Sequence, residues 1–281
     1  MKYLLLLRPA QWYKNLLVFL PLVFSGNITN STAAGQAFLA FVSFCALSSA
    51  TYVINDYADR YKDRLHPEKW NRPIASGTVG PIEAFLIILL LTIVGFGLSL
   101  ILPKNFLYAA LGYFVLSQFY TAWLKHEAFA DILTIAVNFV IRAAAGAFAI
   151  SVWVSPWLIL GIFFLALFLM LGKRKSELML LKEKAHELRR TLPSYSPELT
   201  SRLSAVATTA LVISYTLFVF FGEHPLLYIT LPFALYSIFR YEYFINTGSK
   251  IARHPEYVFT DSRMVIAMLI WGALTLTVLY L

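Results

Sequence analysis

Apolar residues run along this chain in long blocks, interrupted by polar stretches of very unequal length. Blocks long enough to cross or nearly cross a bilayer fall at about residues 14–26, 35–55, 82–102, 106–124, 131–151, 156–172, 203–221, 225–240 and 263–281. None alternates with the period of a half-buried strand. A backbone in hydrocarbon must satisfy its own hydrogen bonds, so the blocks predict nine transmembrane helices. The first and eighth are short for a span and are expected to be tilted or half-buried. No separable domain emerges, and residues 1–281 read as a single integral membrane domain of all-α class.

Composition agrees with lipid as the solvent. Of 281 residues, 59% are hydrophobic and 14% charged, against roughly 25% charged in a soluble domain. The net charge of +8 does not point to nucleic acid in so apolar a chain. It points to anionic headgroups and phosphates. Met1 to Leu7 is a short apolar run, broken by Arg8 and Lys14, so no cleavable signal peptide is expected. Cys45 is the only cysteine. It excludes a disulfide framework and a cysteine metal site, and it reads as a small core residue.

The cations set the orientation. With the N-terminus in the cytoplasm, 21 of the 23 Lys and Arg residues fall on the inner side; Lys104 lies outside and Arg142 lies within a helix. Of the 15 acids only Glu223 falls in an outer loop. The inner segments 56–81 and 173–202 are long and rich in charge, and function is expected there, at the cytoplasmic face of the inner (plasma) membrane. Residues 176–190 carry leucines and charges at helical spacing, as in an amphipathic helix lying on that face.

The strongest chemical signal is Asn55-Asp56-x-x-Asp59-x-x-x-Asp63. Spacings of three and four put Asp56, Asp59 and Asp63 on one helical face, in a row about 10 Å long. Three carboxylates so placed repel unless something cationic lies among them. Mg²⁺ fits when a substrate brings phosphate oxygens, because it binds through few carboxylates and keeps several waters. The competing reading is a solvated acidic run countered by Arg60, Lys62 and Arg64. Downstream, Lys69 and Arg72 are placed to reach phosphates, Pro73 and Gly77 to shape a turn, and His66 to act structurally or on phosphate. Asp131, Asn138 and Arg142 recur near one face of the fifth block. An intramembrane Arg faces an interior cavity by default, and Arg142 reads equally well as a substrate contact or as the partner of an internal acid or helix end. Asp131, beside Lys125 and His126, reads as a cap or a site residue. Asp261 and Arg263 read as a cap pair of the ninth helix or as a far wall of the site.

Asn-Asp-x-x-Asp-x-x-x-Asp followed by Arg72-Pro73-Ile-Ala-Ser76-Gly77 resembles the first signature of the UbiA superfamily of intramembrane prenyltransferases. The resemblance covers the whole chain. Further likeness lies in Leu7-Arg8-Pro9-x-Gln11-Trp12-x-Lys14-Asn15, in Asp63-x-x-His66-Pro67-x-Lys69-x-x-Arg72-Pro73, and in Lys173-Arg174-Lys175-Ser-Glu177-Leu178. These resemble the branch that makes polyprenyl-phosphate phosphoribose. The resemblance implies a nine-helix bundle with a central cavity open to the cytoplasm and laterally to lipid. It implies Mg²⁺ held by Asn55, Asp56, Asp59 and Asp63. It also implies transfer of 5-phosphoribosyl from phosphoribosyl pyrophosphate to a polyprenyl phosphate; a homo-oligomer is compatible with all of this. The substrate-binding residues it implies are Lys14, Asn15, Asn55, Lys69, Arg72, Lys125, Asp131, Arg142, Lys173, Arg174, Lys175 and Glu177.

One departure bears on the substrate. Other members carry a second acid motif, Asp-x-x-x-Asp, after the sixth helix. Here that place reads Gly172-Lys173-Arg174-Lys175-Ser176-Glu177. A cationic wall suits phosphates that are not on the metal: the 5-phosphate of the sugar donor and the phosphate of the lipid acceptor. The alternative is an ordinary member of the superfamily, moving a polyprenyl chain from its diphosphate to an aromatic acceptor. A transporter would scatter ionisable residues through the midplane, and only Arg142 does so here.

Overall fold

The structure is a computed structural model that describes residues 2–65, 69–181 and 191–281. Its regular elements are helical: α1 (Lys2–Leu7), a 3₁₀ run (Pro9–Phe19) leading into α2 (Leu20–Phe24), α3 (Ser31–Leu65), α4 (Pro81–Ile101), α5 (Lys104–Ala122), α6 (Ala130–Ile150), α7 (Pro156–Leu181), α8 (Pro197–Phe221), α9 (Leu231–Asn246), α10 (Lys250–Arg253) and α11 (Ser262–Tyr280). Each predicted span overlaps a helical element, several of which run further than the apolar block. Among the described residues six helices, α3, α4, α6, α7, α8 and α11, are long and apolar enough to cross a membrane. Helix α4 shows why. It exposes Ile82, Phe85, Leu86, Leu89, Leu90 and Ile93, an apolar surface that only lipid can cover.

Three departures from the sequence reading have local causes. The first span is wound as 3₁₀ turns over Pro9–Phe19 and only then as α-helix. It starts from Arg8, a left-handed residue at φ 52° followed by a proline. The second span does not stop at residue 55: α3 continues to Leu65, so the acidic residues lie on a helix rather than in a loop. Residues 176–181 continue α7 rather than starting a separate amphipathic helix. The rest of that expected helix, 182–190, and His66 lie outside the described residues.

The chain divides into two compact units. Unit one comprises Met1–Leu124 and Ile141–Trp153. In it α3 packs along α4, the 3₁₀ run and α5, around Val18, Ala40, Phe44, Leu47, Phe106 and Tyr113. Small residues let these backbones approach closely. Ser43 Oγ donates to the Gly95 carbonyl at 2.9 Å, and a Cβ on Gly146 would fall on the Val18 carbonyl. Unit two comprises Lys125–Val140 and Val154–Leu281. There α7 pairs with α8 along its length, over a core that includes Phe168, Leu171, Tyr195, Leu211, Tyr241 and Ile245.

Candidate active site

In unit one the acidic face of α3 is bound to two arginines. Asp56 is 2% exposed. Arg8 Nη2 donates to its Oδ1 at 2.6 Å and its Oδ2 at 2.8 Å. Arg72 Nη1 donates to Asp56 Oδ1 at 3.0 Å and to Asp63 Oδ2 at 2.6 Å. One guanidinium nitrogen therefore occupies the point that two carboxylates share, one α3 turn pair apart. Asp59 and Asn55 are half-buried on the same helix. Arg60 and Arg64 turn elsewhere: Arg60 Nη1 donates to the Tyr57 carbonyl and Arg64 Nε to the Ala75 carbonyl, each at 2.7 Å.

The turn that delivers Arg72 is built as the sequence reading expects. Ser76 N donates to the Arg72 carbonyl and Val79 N to that of Pro73. Gly77 takes φ 77°, a left-handed conformation that glycine adopts without strain.

Among the described residues, no three His, Cys, Asp or Glu side chains converge as a ready cage for a metal. The acids nevertheless suit Mg²⁺. They are hard oxygen donors, and Mg²⁺ needs only one or two carboxylates when phosphate oxygens complete its shell. The Arg72 nitrogen shows that Asp56 and Asp63 can share a single cation.

A second polar cluster in unit one lies inside the helices. Asn15 is buried, with its Nδ2 donating to Ser48 Oγ at 3.1 Å and to Cys45 Sγ at 3.3 Å. Its Oδ1 accepts from Arg142 Nε at 2.8 Å. Arg142 also donates from Nη2 to Tyr113 OH at 3.0 Å and lies over that ring. These bonds tie Arg142 to the neutral oxygens of Asn15 and Tyr113. Arg142→Met would strand buried acceptors, a loss of about 1–3 kcal/mol for each such group. The variant is expected to melt earlier in detergent; unchanged melting would show that the cluster does not hold the unit together.

In unit two the expected cationic stretch splits by direction. Arg174 is 1% exposed and turns inward. Its Nη2 donates to Asp131 Oδ2 at 3.0 Å and its Nη1 to Glu177 Oε2 at 2.9 Å. Arg174, expected in a phosphate-binding run, faces two carboxylates here. Tyr195 OH donates to Asp131 Oδ1 at 2.6 Å and accepts from Phe129 N at 2.8 Å, while Thr191 Oγ1 donates to Asp131 Oδ2 at 3.3 Å. Burial first, and the Asp131 carboxylate second, push the Tyr195 phenol above its ordinary range. Lys173 and Lys175 stay half-buried, with Lys175 Nζ donating to Asn246 Oδ1 at 2.6 Å. Lys125 lies half-buried on a 3₁₀ turn before α6, and Lys14 and Lys69 are half-buried in unit one. Asp261 caps α11 through Met264 N. Its pair is Arg240, at 2.7 Å, which holds its carboxyl below the ordinary range.

The pattern of the UbiA prenyltransferase family matches residues 16–279. The chain belongs to the UbiA prenyltransferase family. Along 94% of its length and 88% of the relative's, it is 34% identical to the decaprenyl-phosphate phosphoribosyltransferase of Mycolicibacterium smegmatis. It is 33% identical to that of Corynebacterium glutamicum, over 94% of this chain and 82% of the relative. A UbiA homolog from Archaeoglobus fulgidus, solved bound to DMAPP and Mg²⁺, shares the fold with a TM-score of 0.79 at 23% identity, over 99% of each chain. The UbiA-family chain is a multi-pass membrane protein of a transferase family.

Sequence reasoning passed over Arg8, Thr191, Tyr195 and Tyr113 as partners of the charged groups. Only Arg8 carried a signal: a lone cation between four leucines and a proline.

Proposed function

We propose that this protein transfers 5-phosphoribosyl from phosphoribosyl pyrophosphate to a polyprenyl phosphate and releases pyrophosphate, with Mg²⁺ as cofactor. The observation that carries the reading is the likeness to the named phosphoribosyltransferases along 94% of the chain. The site residues support it. Asn55, Asp56, Asp59 and Asp63 would hold the metal, which when bound offsets the charge that builds on the leaving diphosphate. Arg72 lies beside the same carboxylates and is placed to take diphosphate oxygens. Lys14 and Lys69, in the same unit, would take further phosphate oxygens; Lys125, Lys173 and Lys175 are cations of unit two that suit phosphate as well. Asn15 with Arg142 in unit one, and Asp131 with Arg174 and Glu177 in unit two, are further substrate-binding positions, oriented by the bonds they make to one another.

The reaction breaks the bond between ribose C1 and the diphosphate oxygen and forms one between C1 and an oxygen of the lipid phosphate. That nucleophile is already anionic, so no general base is required. The cation distribution supports an N-terminus in the cytoplasm and a site on the cytoplasmic side of the inner membrane. The family match runs through both compact units, which supports reading residues 1–281 as one integral membrane domain.

The test is to supply the purified protein with donor labelled in the ribose, a polyprenyl phosphate and Mg²⁺, and to extract lipid. Label is expected in the lipid phase. Label confined to water, with ready prenylation of an aromatic acid, would overturn the proposal in favour of aromatic prenyl transfer.

A further inference from the structure

Arg8 stands out because its backbone is held in an unfavourable conformation for the sake of its side chain. The left-handed region costs a residue with a Cβ roughly 1–2 kcal/mol, and such strain persists only where the surroundings impose it. Here they do so on both sides. Ser49 Oγ donates to the Leu7 carbonyl at 2.8 Å and accepts from Trp12 Nε1 at 3.1 Å. Gln11 N donates to the Arg8 carbonyl itself at 2.8 Å. Ser49 lies two turns of α3 before Asp56 and so on the same face. The clamp at Ser49 thus aims Arg8 at Asp56, and Arg8 passes over the Tyr52 ring on the way.

Charge decides what the arrangement does. At the shared point two carboxylates, Asp56 and Asp63, are matched by two guanidiniums, Arg8 and Arg72, with Asp59 a third acid on the same helix. Both oxygens of Asp56 already accept charged hydrogen bonds. A bare divalent cation entering this place has to displace Arg72 from the shared point and meets two like charges. A divalent cation arriving with a diphosphate meets no such excess. The metal goes to the carboxylates, and the guanidiniums, matched in geometry to phosphate oxygens, go to the diphosphate. About a quarter of each arginine side chain is exposed (23% for Arg8, 24% for Arg72), which leaves room for that movement.

We infer that Arg8 and Arg72 are exchangeable counter-ions: they hold Asp56 and Asp63 against bare metal and hand over to the diphosphate when metal and diphosphate bind together. This rests on the metal assignment proposed above and adds Arg8 to the diphosphate-binding residues. Its consequence is that metal and diphosphate bind cooperatively and each binds poorly alone.

The experiment uses the full chain in detergent, with Mn²⁺ as the metal probe, read by the electron paramagnetic resonance of free Mn²⁺, and labelled pyrophosphate as the diphosphate probe. Without pyrophosphate, Arg8→Gln and Arg72→Gln are expected to bind Mn²⁺ about tenfold more tightly than the natural protein, a typical size for such a coupling. At saturating Mn²⁺ both are expected to bind pyrophosphate more weakly by a similar factor. Arg8→Lys and Arg72→Lys keep the charge without the fork and are expected to fall between, which gives a readout even if a Gln variant does not fold. Mn²⁺ affinity that is unchanged or weakened in the variants would overturn the inference and leave the arginines as fixed struts. Asp56→Asn and Asp63→Asn, compared at saturating pyrophosphate, separate this from the metal assignment: if they bind Mn²⁺ like the natural protein there, it is the assignment that fails.

Discussion

Replacing Asp56 or Asp63 by Asn is expected to abolish phosphoribosyl transfer while the protein still inserts and purifies. Asparagine keeps the shape of the side chain and one acceptor oxygen but removes the charge. The same face of α3 then has less to offer a divalent cation, and Arg8 or Arg72 loses its ion pair. Loss of one preorganised electrostatic contact at a reacting centre commonly costs about 10²–10³-fold in rate. Here the metal itself is at stake, so the loss is expected to be at least that large. Asp59→Asn is expected to behave in the same way. Chelation of the natural protein with EDTA should silence it, and added Mg²⁺ should restore it. Near-normal rates in all three variants, measured at saturating donor, would remove the metal from α3.

The second large effect is expected on stability rather than rate. Arg174→Met leaves the Asp131 carboxylate, fully buried, without the guanidinium that faces it, and leaves Glu177 without its partner. Removing one side of a buried ion pair typically costs about 3–5 kcal/mol, because the remaining charge stays desolvated. A marked fall in melting temperature in detergent is therefore expected, from the Asp131 charge above all. Asp131→Asn together with Arg174→Met should cost less than the two single changes summed, since Asp131 then carries no buried charge to strand. Additive losses would show that Asp131 and Arg174 act independently and that the close contact between them carries no energy.

The transmembrane pattern was legible because lipid demands long apolar blocks, and each of those blocks became a helix or a helical run. Where a helix leaves the membrane that signal ends. The reading therefore stopped the second span at residue 55, while α3 runs on to Leu65 with charged residues on its faces. The spacing of Asp56, Asp59 and Asp63 carried the helical period past that point, which is why the acidic face could be read without the helix end. The arginines were harder. Arg8 meets Asp56 across 48 positions in the chain, and Tyr195 meets Asp131 across 64; no local period encodes either pairing. For Arg174, neighbours of like charge on both sides suggested a phosphate-binding run. Helical geometry instead turns Arg174 into unit two, with Lys173 and Lys175 less deeply buried on either side. A cationic tripeptide on a helix cannot face one way.

A competition between donors and acceptors identifies the transferred group. The purified protein is given phosphoribosyl pyrophosphate and a polyprenyl diphosphate together, with a polyprenyl phosphate and an aromatic acid as competing acceptors, in the presence of Mg²⁺. The product lipid is then weighed by mass spectrometry. The account predicts a polyprenyl phosphate heavier by one phosphoribosyl group, with release of pyrophosphate and no prenylated aromatic product. A prenylated aromatic acid, with the polyprenyl phosphate recovered at its original mass, would contradict it.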